Sequence, residues 1–228
     1  ADLTGADLTN AVLTSANLTG AKLENAVLLR TNLVKATLDR AHFLNACGTS
    51  AVMTEAKALS VDFANAKFEK AKMDGIDMTS SKFNGANFSK SSMVGAKLDS
   101  VKVQDTSFVS ANMQNVHAHK ANFDRVNFQR STLDNADFTS STMIASCKYD
   151  GVSMIGMTLS KVKAQGIDVR GLKLSNVRAS EADFSRGNFE GCTMKECDLS
   201  KANVKGACFQ GANMSNAKAQ GALFNQCD

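Results

Sequence analysis

A repeat of five residues runs through almost all of the 228-residue chain, and no other feature constrains its fold as strongly. The first units read ADLTG, ADLTN, AVLTS, ANLTG and AKLEN, head to tail. Each has a large apolar residue, its centre, and a small residue two positions earlier. Centres run from Leu3 in steps of five to Met143, giving 29 repeats in which only Gly48, Ala58, Val103 and Ala118 are not Leu, Phe or Met. One residue is then inserted around Ile144 to Ser146, and 16 further repeats run from Tyr149 to Phe224. All 13 Phe fall on centres, where random placement would scatter them over five positions.

A period of five matches neither a helix (3.6) nor a simple strand (2), so the chain turns regularly and buries two residues of every five. One repeat cannot close a core alone, so neighbours must stack. Reading every fourth centre tests a coil of four repeats. A first face then carries Leu3, Leu23, Phe43, Phe63 and their successors, and a second carries Leu8, Leu28, Gly48, Phe68 and theirs. The third begins Leu13, Leu33, Met53, Met73, and the fourth begins Leu18, Leu38, Ala58, Met78. Twelve of the 13 Phe lie on the first two faces and seven of the ten Met on the third. This sorting argues for a square coil with stacked aromatic columns.

The A-[D/N]-L-x-x pattern resembles the pentapeptide-repeat family over essentially the whole chain. The resemblance implies an all-β fold, a right-handed quadrilateral parallel β-helix of about eleven coils, roughly 50 Å long at ~4.8 Å per coil. Residues 1–228 read as one such unit. The absence of Pro suits a ladder that a missing N–H would interrupt. Gly151, Gly171, Gly191 and Gly211 stack at one corner, where a Cβ would clash or φ is positive. The inserted residue reads as a bulge at 144–146 with Ile144 exposed. The chain begins and stops inside the pattern, so flanking segments or partner proteins are expected to cover its ends, and end-to-end association is possible in principle.

The repeated residues build the coil, so function falls to the outward positions. The net charge is +4, and the four faces carry +1, +2, 0 and +2, with Asp228 supplying the remaining −1. The best-known activity of the family is resistance to DNA-gyrase poisons through an acidic rod that resembles duplex DNA. A gyrase-type DNA mimic needs a dense negative field, which these faces lack. Nucleic acid is likewise not expected as a partner. Arg30, Lys70, Lys90 and Arg130 on the second face are interleaved with Glu69 and Asp150, lack exposed aromatics, and read as solvated charge. Thr4, Thr9, Thr14 and Thr19 encircle the first coil instead of climbing a face, so ice binding fails. No stretch approaches the unbroken apolar run that a bilayer needs.

No nucleophile, base and acid converge, so the chain reads as non-enzymatic, with no cofactor. His117 and His119 flank Ala118, with Asp99 one coil before and Asp137 one coil after, and form a candidate metal site. Cys147, Cys192, Cys197 and Cys227 occupy the small buried position, while Cys47 and Cys208 precede a centre and are more exposed. Their spacing gives no disulfide framework, which favours a reducing cytoplasmic or stromal setting, while the family resemblance also admits the thylakoid lumen. Val12, Val27, Leu29, Val34, Leu44 and Val52 point outward within the first three coils and form a candidate protein interface. The reading is a structural scaffold or protein-interaction subunit of a larger assembly, its partners being other proteins.

Overall fold

The computed structural model describes every residue except Ile144, so the exposure expected of Ile144 lies outside the described residues. Parallel bridges join residues twenty apart, four to a coil: Asp2 to Lys22, Asp7 to Val27, Val12 to Asn32 and Asn17 to Thr37. The same register continues to Asn203 and Leu223. Across the insertion the spacing becomes twenty-one, as in Asn127 with Lys148 and Thr142 with Lys163, and returns to twenty at Ser153 with Lys173. Three short strands, β1 (Lys102–Gln104), β2 (Asn122–Asp124) and β3 (Thr142–Met143), stack in parallel on the first face. No helix occurs among the described residues.

The backbone hydrogen bonds explain the repeat residue by residue. The centre Leu3 donates its N–H to the Lys22 carbonyl at 2.8 Å, and Lys22 donates to the Ala1 carbonyl at 2.9 Å. Gly5 donates to the Glu24 carbonyl at 2.8 Å, and Ala6 closes a turn onto the Leu3 carbonyl at 3.0 Å. One N–H per repeat is left over, that of the residue after the centre, and an unpaired amide must find an acceptor or water. The Asp or Asn before the centre supplies the acceptor: Thr4 N–H donates to Asp2 Oδ1 at 3.1 Å, and Thr139 N–H to Asp137 Oδ1 at 2.9 Å. That bond is the physical reason for the [D/N] in the pattern. In four repeats whose position holds another residue an aspartate one coil earlier takes over, as when Leu59 N–H donates to Asp39 Oδ1 at 3.1 Å.

The turn also requires a left-handed residue at its third position, as type II turns do. Gly5 has φ +68°, but Asn10, Ser15, Arg30 and Lys35 adopt φ of 54–60° at the same place in other repeats. The glycines at 151, 171, 191 and 211 are therefore explained by their φ of +63° to +68°. A Cβ on Gly171 or Gly191 would meet nothing within 4 Å, so the clash half of the expectation does not hold.

The centres and small residues form one core. Phe88, Phe108, Phe128 and Tyr149 stack with ring centroids 5.5–5.8 Å apart and planes within 11°. At several small positions that hold Ser, Thr or Cys the side chain reaches the centre carbonyl one coil earlier, whereas the buried hydroxyls of Ser91 and Ser131 find no hydrogen-bond partner among the described residues. Thr31 Oγ1 donates to Leu8 O at 2.8 Å, Ser81 Oγ to Ala58 O at 2.9 Å and Cys197 Sγ to Leu174 O at 2.8 Å. The carbonyl has a second lone pair to accept them, so the side chains of Thr31, Ser81 and Cys197 are satisfied.

One rung is missing. Lys148 bridges to Asn127 and Asp168 bridges to Asn188, but among the described residues no bridge joins Lys148 to Asp168. The small positions of the adjoining coils carry Val152, Met157, Val162, Ile167, Leu172 and Val177, all buried, where Ala is usual. These six consecutive bulkier side chains share the interior beside the missing rung. The surface opens there into a hollow of about 670 Å³ lined by Tyr149, Asp150, Asp168, Arg170 and Glu190 among others.

Candidate interaction surfaces

The fold fixes three outward columns on each face at about 4.8 Å per coil, and the candidate residues can be placed on them. The six apolar residues divide over three faces: Leu44 on the first, Val27 and Leu29 on the second, Val12, Val34 and Val52 on the third. Val12 is 75% exposed and Leu44 40%, while the other four are half-buried. Val12 and Val52 share a column with Asn32 bridged between them. The edge where the second face turns into the third collects Val12, Leu29 and Val52.

Charge on this rod sorts by edge more sharply than by face. Each outward residue borders one of the four edges, and three edges lie within two charges of neutrality. The edge between the second and third faces carries seven basic and three acidic residues, a balance equal to the whole net charge of +4. Arg30, Lys70, Lys90 and Arg130 occupy its left-handed corner column, and Lys72 stands beside Lys70. Among the described residues none of these five joins an ion pair. Glu69 Oε1 instead accepts from Asn87 Nδ2 at 2.6 Å, and Asp150 Oδ2 from Gln129 Nε2 at 2.6 Å. The face-by-face tally of the sequence averages this edge away, because each face borders two edges.

The histidine cluster takes a different form from the one expected. His119 lies between two carboxylates, with Nδ1 3.3 Å from Asp99 Oδ1 and Nε2 3.0 Å from Asp137 Oδ2. The backbone N–H of His119 donates to Asp99 Oδ1 at 2.8 Å. His117 stands 6.0 Å away, centroid to centroid. Among the described residues no group of three His, Cys, Asp or Glu side chains is placed to hold a metal ion. Burial raises the Asp137 carboxyl, but the Thr139 hydroxyl, the His119 ring and the Thr139 N–H outweigh it and hold it below the ordinary value of 3.8.

The cysteines behave as core residues. Burial pushes the Cys197 thiol up to about 11 and raises Cys192 as well, so neither is a nucleophile at neutral pH. Cys47 and Cys208 are half-exposed, as their positions implied. Cys227 was expected to be buried but is half-exposed, because no coil of this chain lies over it; its thiol still donates to Val204 O at 3.0 Å. In the hollow at the missing rung, Arg170 Nε and Nη2 donate to the two oxygens of Asp168 at 2.9 and 2.8 Å, so its charged head is already engaged. The Tyr149 phenol beside it is held well above its ordinary value by burial. No helix among the described residues is long and apolar enough to cross a membrane.

A family model described as a pentapeptide repeat region matches residues 61–138, and one described as pentapeptide repeats (8 copies) matches 1–28, 16–54 and 180–216. No curated protein matches the chain significantly. Among solved structures, full-length QnrB1, a plasmid-mediated fluoroquinolone resistance protein, is 16% identical, with 100% of this chain and 91% of that chain covered and a TM-score of 0.52. A trypsin-treated form of QnrB1 is similar over 82% of this chain and 90% of that one, at 16% identity and a TM-score of 0.53. HetL, a pentapeptide repeat protein involved in heterocyst differentiation regulation from the cyanobacterium Nostoc sp. strain PCC 7120, is 23% identical over 100% of this chain and 86% of that one, with a TM-score of 0.35. The QnrB1 likeness bears on the fold, a right-handed β-helix.

Proposed function

The chain belongs to the pentapeptide-repeat family, and from that premise we propose that it is a non-enzymatic scaffold or protein-interaction subunit of a larger assembly. A rod of about eleven coils holds its outward side chains in columns of fixed spacing. The observation that carries this reading is that the backbone ladder and the centre columns absorb the repeat's hydrogen bonds and large apolar groups, so specificity is left to outward residues on a rigid lattice. The N-terminal coils, with Val12 and Leu44 exposed, offer apolar contact area to a partner. Single exposed apolar groups are ordinary, but several on adjoining faces at one end of a rod fit a protein interface.

The test is association. A Val27→Lys, Leu29→Lys variant alters half-buried outward positions and leaves the centres intact. It should keep the circular dichroism and melting profile of the parent while partner association measured by co-sedimentation weakens at least tenfold. Unchanged association would remove these residues from the interface.

A further inference from the structure

The edge between the second and third faces combines apolar groups at one end with cations along its length. Val12, Leu29 and Val52 occupy the first coils, and Arg30, Lys70, Lys72, Lys90 and Arg130 continue from there. Arg30 and Arg130 stand five coils apart, about 24 Å, which is the length of roughly seven residues of extended chain. Between Arg30 and Arg130 the edge carries one acidic residue, Glu69, which accepts from Asn87, and Asp74 on the next edge accepts from Val94 N–H at 2.9 Å and from the Ser92 hydroxyl. Among the described residues none of the five cations joins an ion pair; Arg30 Nε donates to the neutral Asn10 Oδ1 at 2.9 Å, so a partner's carboxylates would meet little competition from carboxylates of this chain.

We propose that this edge docks an extended acidic segment of a partner protein, with an apolar residue of that segment seated among Val12, Leu29 and Val52. The proposal rests on the scaffold reading and deepens it by naming the partner's chemistry. Two features favour a protein over a nucleic acid. The cations continue an apolar group, which a phosphate backbone does not complement, and the edge offers no exposed aromatic on which bases could stack. From Gly151 onward the corner column is glycine and Asp150 and Glu190 balance Arg170 and Lys173, so the uncompensated basic strip ends near Arg130 and has a defined length.

The test uses the full chain and a fluorescein-labelled twelve-residue peptide of alternating glutamate and leucine, read by anisotropy at 50 and 300 mM NaCl. The peptide should bind at low salt and weaken several-fold at high salt. Lys70→Glu with Lys90→Glu should reduce binding at least tenfold, whereas Lys163→Glu with Lys201→Glu, on another edge, should leave it within twofold. Both variants change exposed residues, and unchanged melting curves verify that each is folded. Absence of peptide binding, equal loss in both variants, or tighter binding of a 20-base-pair DNA duplex than of the peptide would each overturn the proposal. The scaffold reading fails separately: it falls if the chain in its native source has no protein partner, whatever the peptide does.

Discussion

Gly48 sits at a centre, where nearly every other repeat carries a large side chain, and a Cβ built on it would collide with the Phe68 ring of the next coil. Phe68 fills that space and packs edge-on against Phe43, with centroids 5.8 Å apart. Gly48→Ala should cost about 1–3 kcal/mol in denaturant unfolding, and Phe68→Leu in the same chain should recover part of it. A Gly48→Ala chain as stable as the parent would refute this packing. Gly48 is visible in the sequence as an exception to the frame, but its partner is not, because the sequence gives the column and not which neighbour leans into the gap. A similar limit applies to the left-handed corner. The stacked glycines point to it, yet Ser60 adopts φ 56° there without any sign in its residue type. Ser60→Gly should stabilise by up to about 1 kcal/mol and Ser60→Val should destabilise, since a β-branched side chain tolerates φ > 0 poorly.

At the scale of the repeat, the turn, the cap and the rung each have a consequence. Asp137 and Asp198 accept the N–H of the residue after the centre, and both carboxyls lie below their ordinary value of 3.8. The Ser200 hydroxyl and then its N–H are the main causes at Asp198. A carboxyl depressed in the folded state contributes stability that is fully present above its unfolded value and is lost as pH falls through its folded value. Stability should therefore drop below about pH 4, and an Asp198→Asn chain should show a shallower acid limb while keeping an acceptor for the amide. An identical acid limb would contradict the assignment. The missing rung predicts that amides of Tyr149 and Asp168 exchange faster with deuterium than those of Phe128 and Asn188, whose N–H groups donate at 2.9 and 2.8 Å to Lys148 O and Ile167 O. Equal protection would show the rung to be made. The inserted residue is legible from the frame shift, but the lost rung is not. It coincides with six consecutive bulky residues at the small positions, Val152 to Val177, and shows only once the coils are stacked.

Over the whole molecule, the five- and twenty-residue periods specify the ladder, the core columns and the four faces, because each of those repeats along the chain. What repeats poorly is the surface. His117 and His119 with Asp99 and Asp137 looked like a ligand set in one dimension, yet the lattice places His119 between the two carboxylates instead of converging all four. The basic edge was likewise hidden, since Lys70 and Lys72 belong to different faces and meet only where the chain turns. The central claim is that this rod works by holding protein partners on its outward columns. Gel filtration of extract from the native source, with the chain followed by antibody and co-eluting proteins quantified by mass spectrometry, tests it most directly. The account predicts elution in a complex with partners at fixed stoichiometry. Elution as a free monomer with no stoichiometric companion would contradict it.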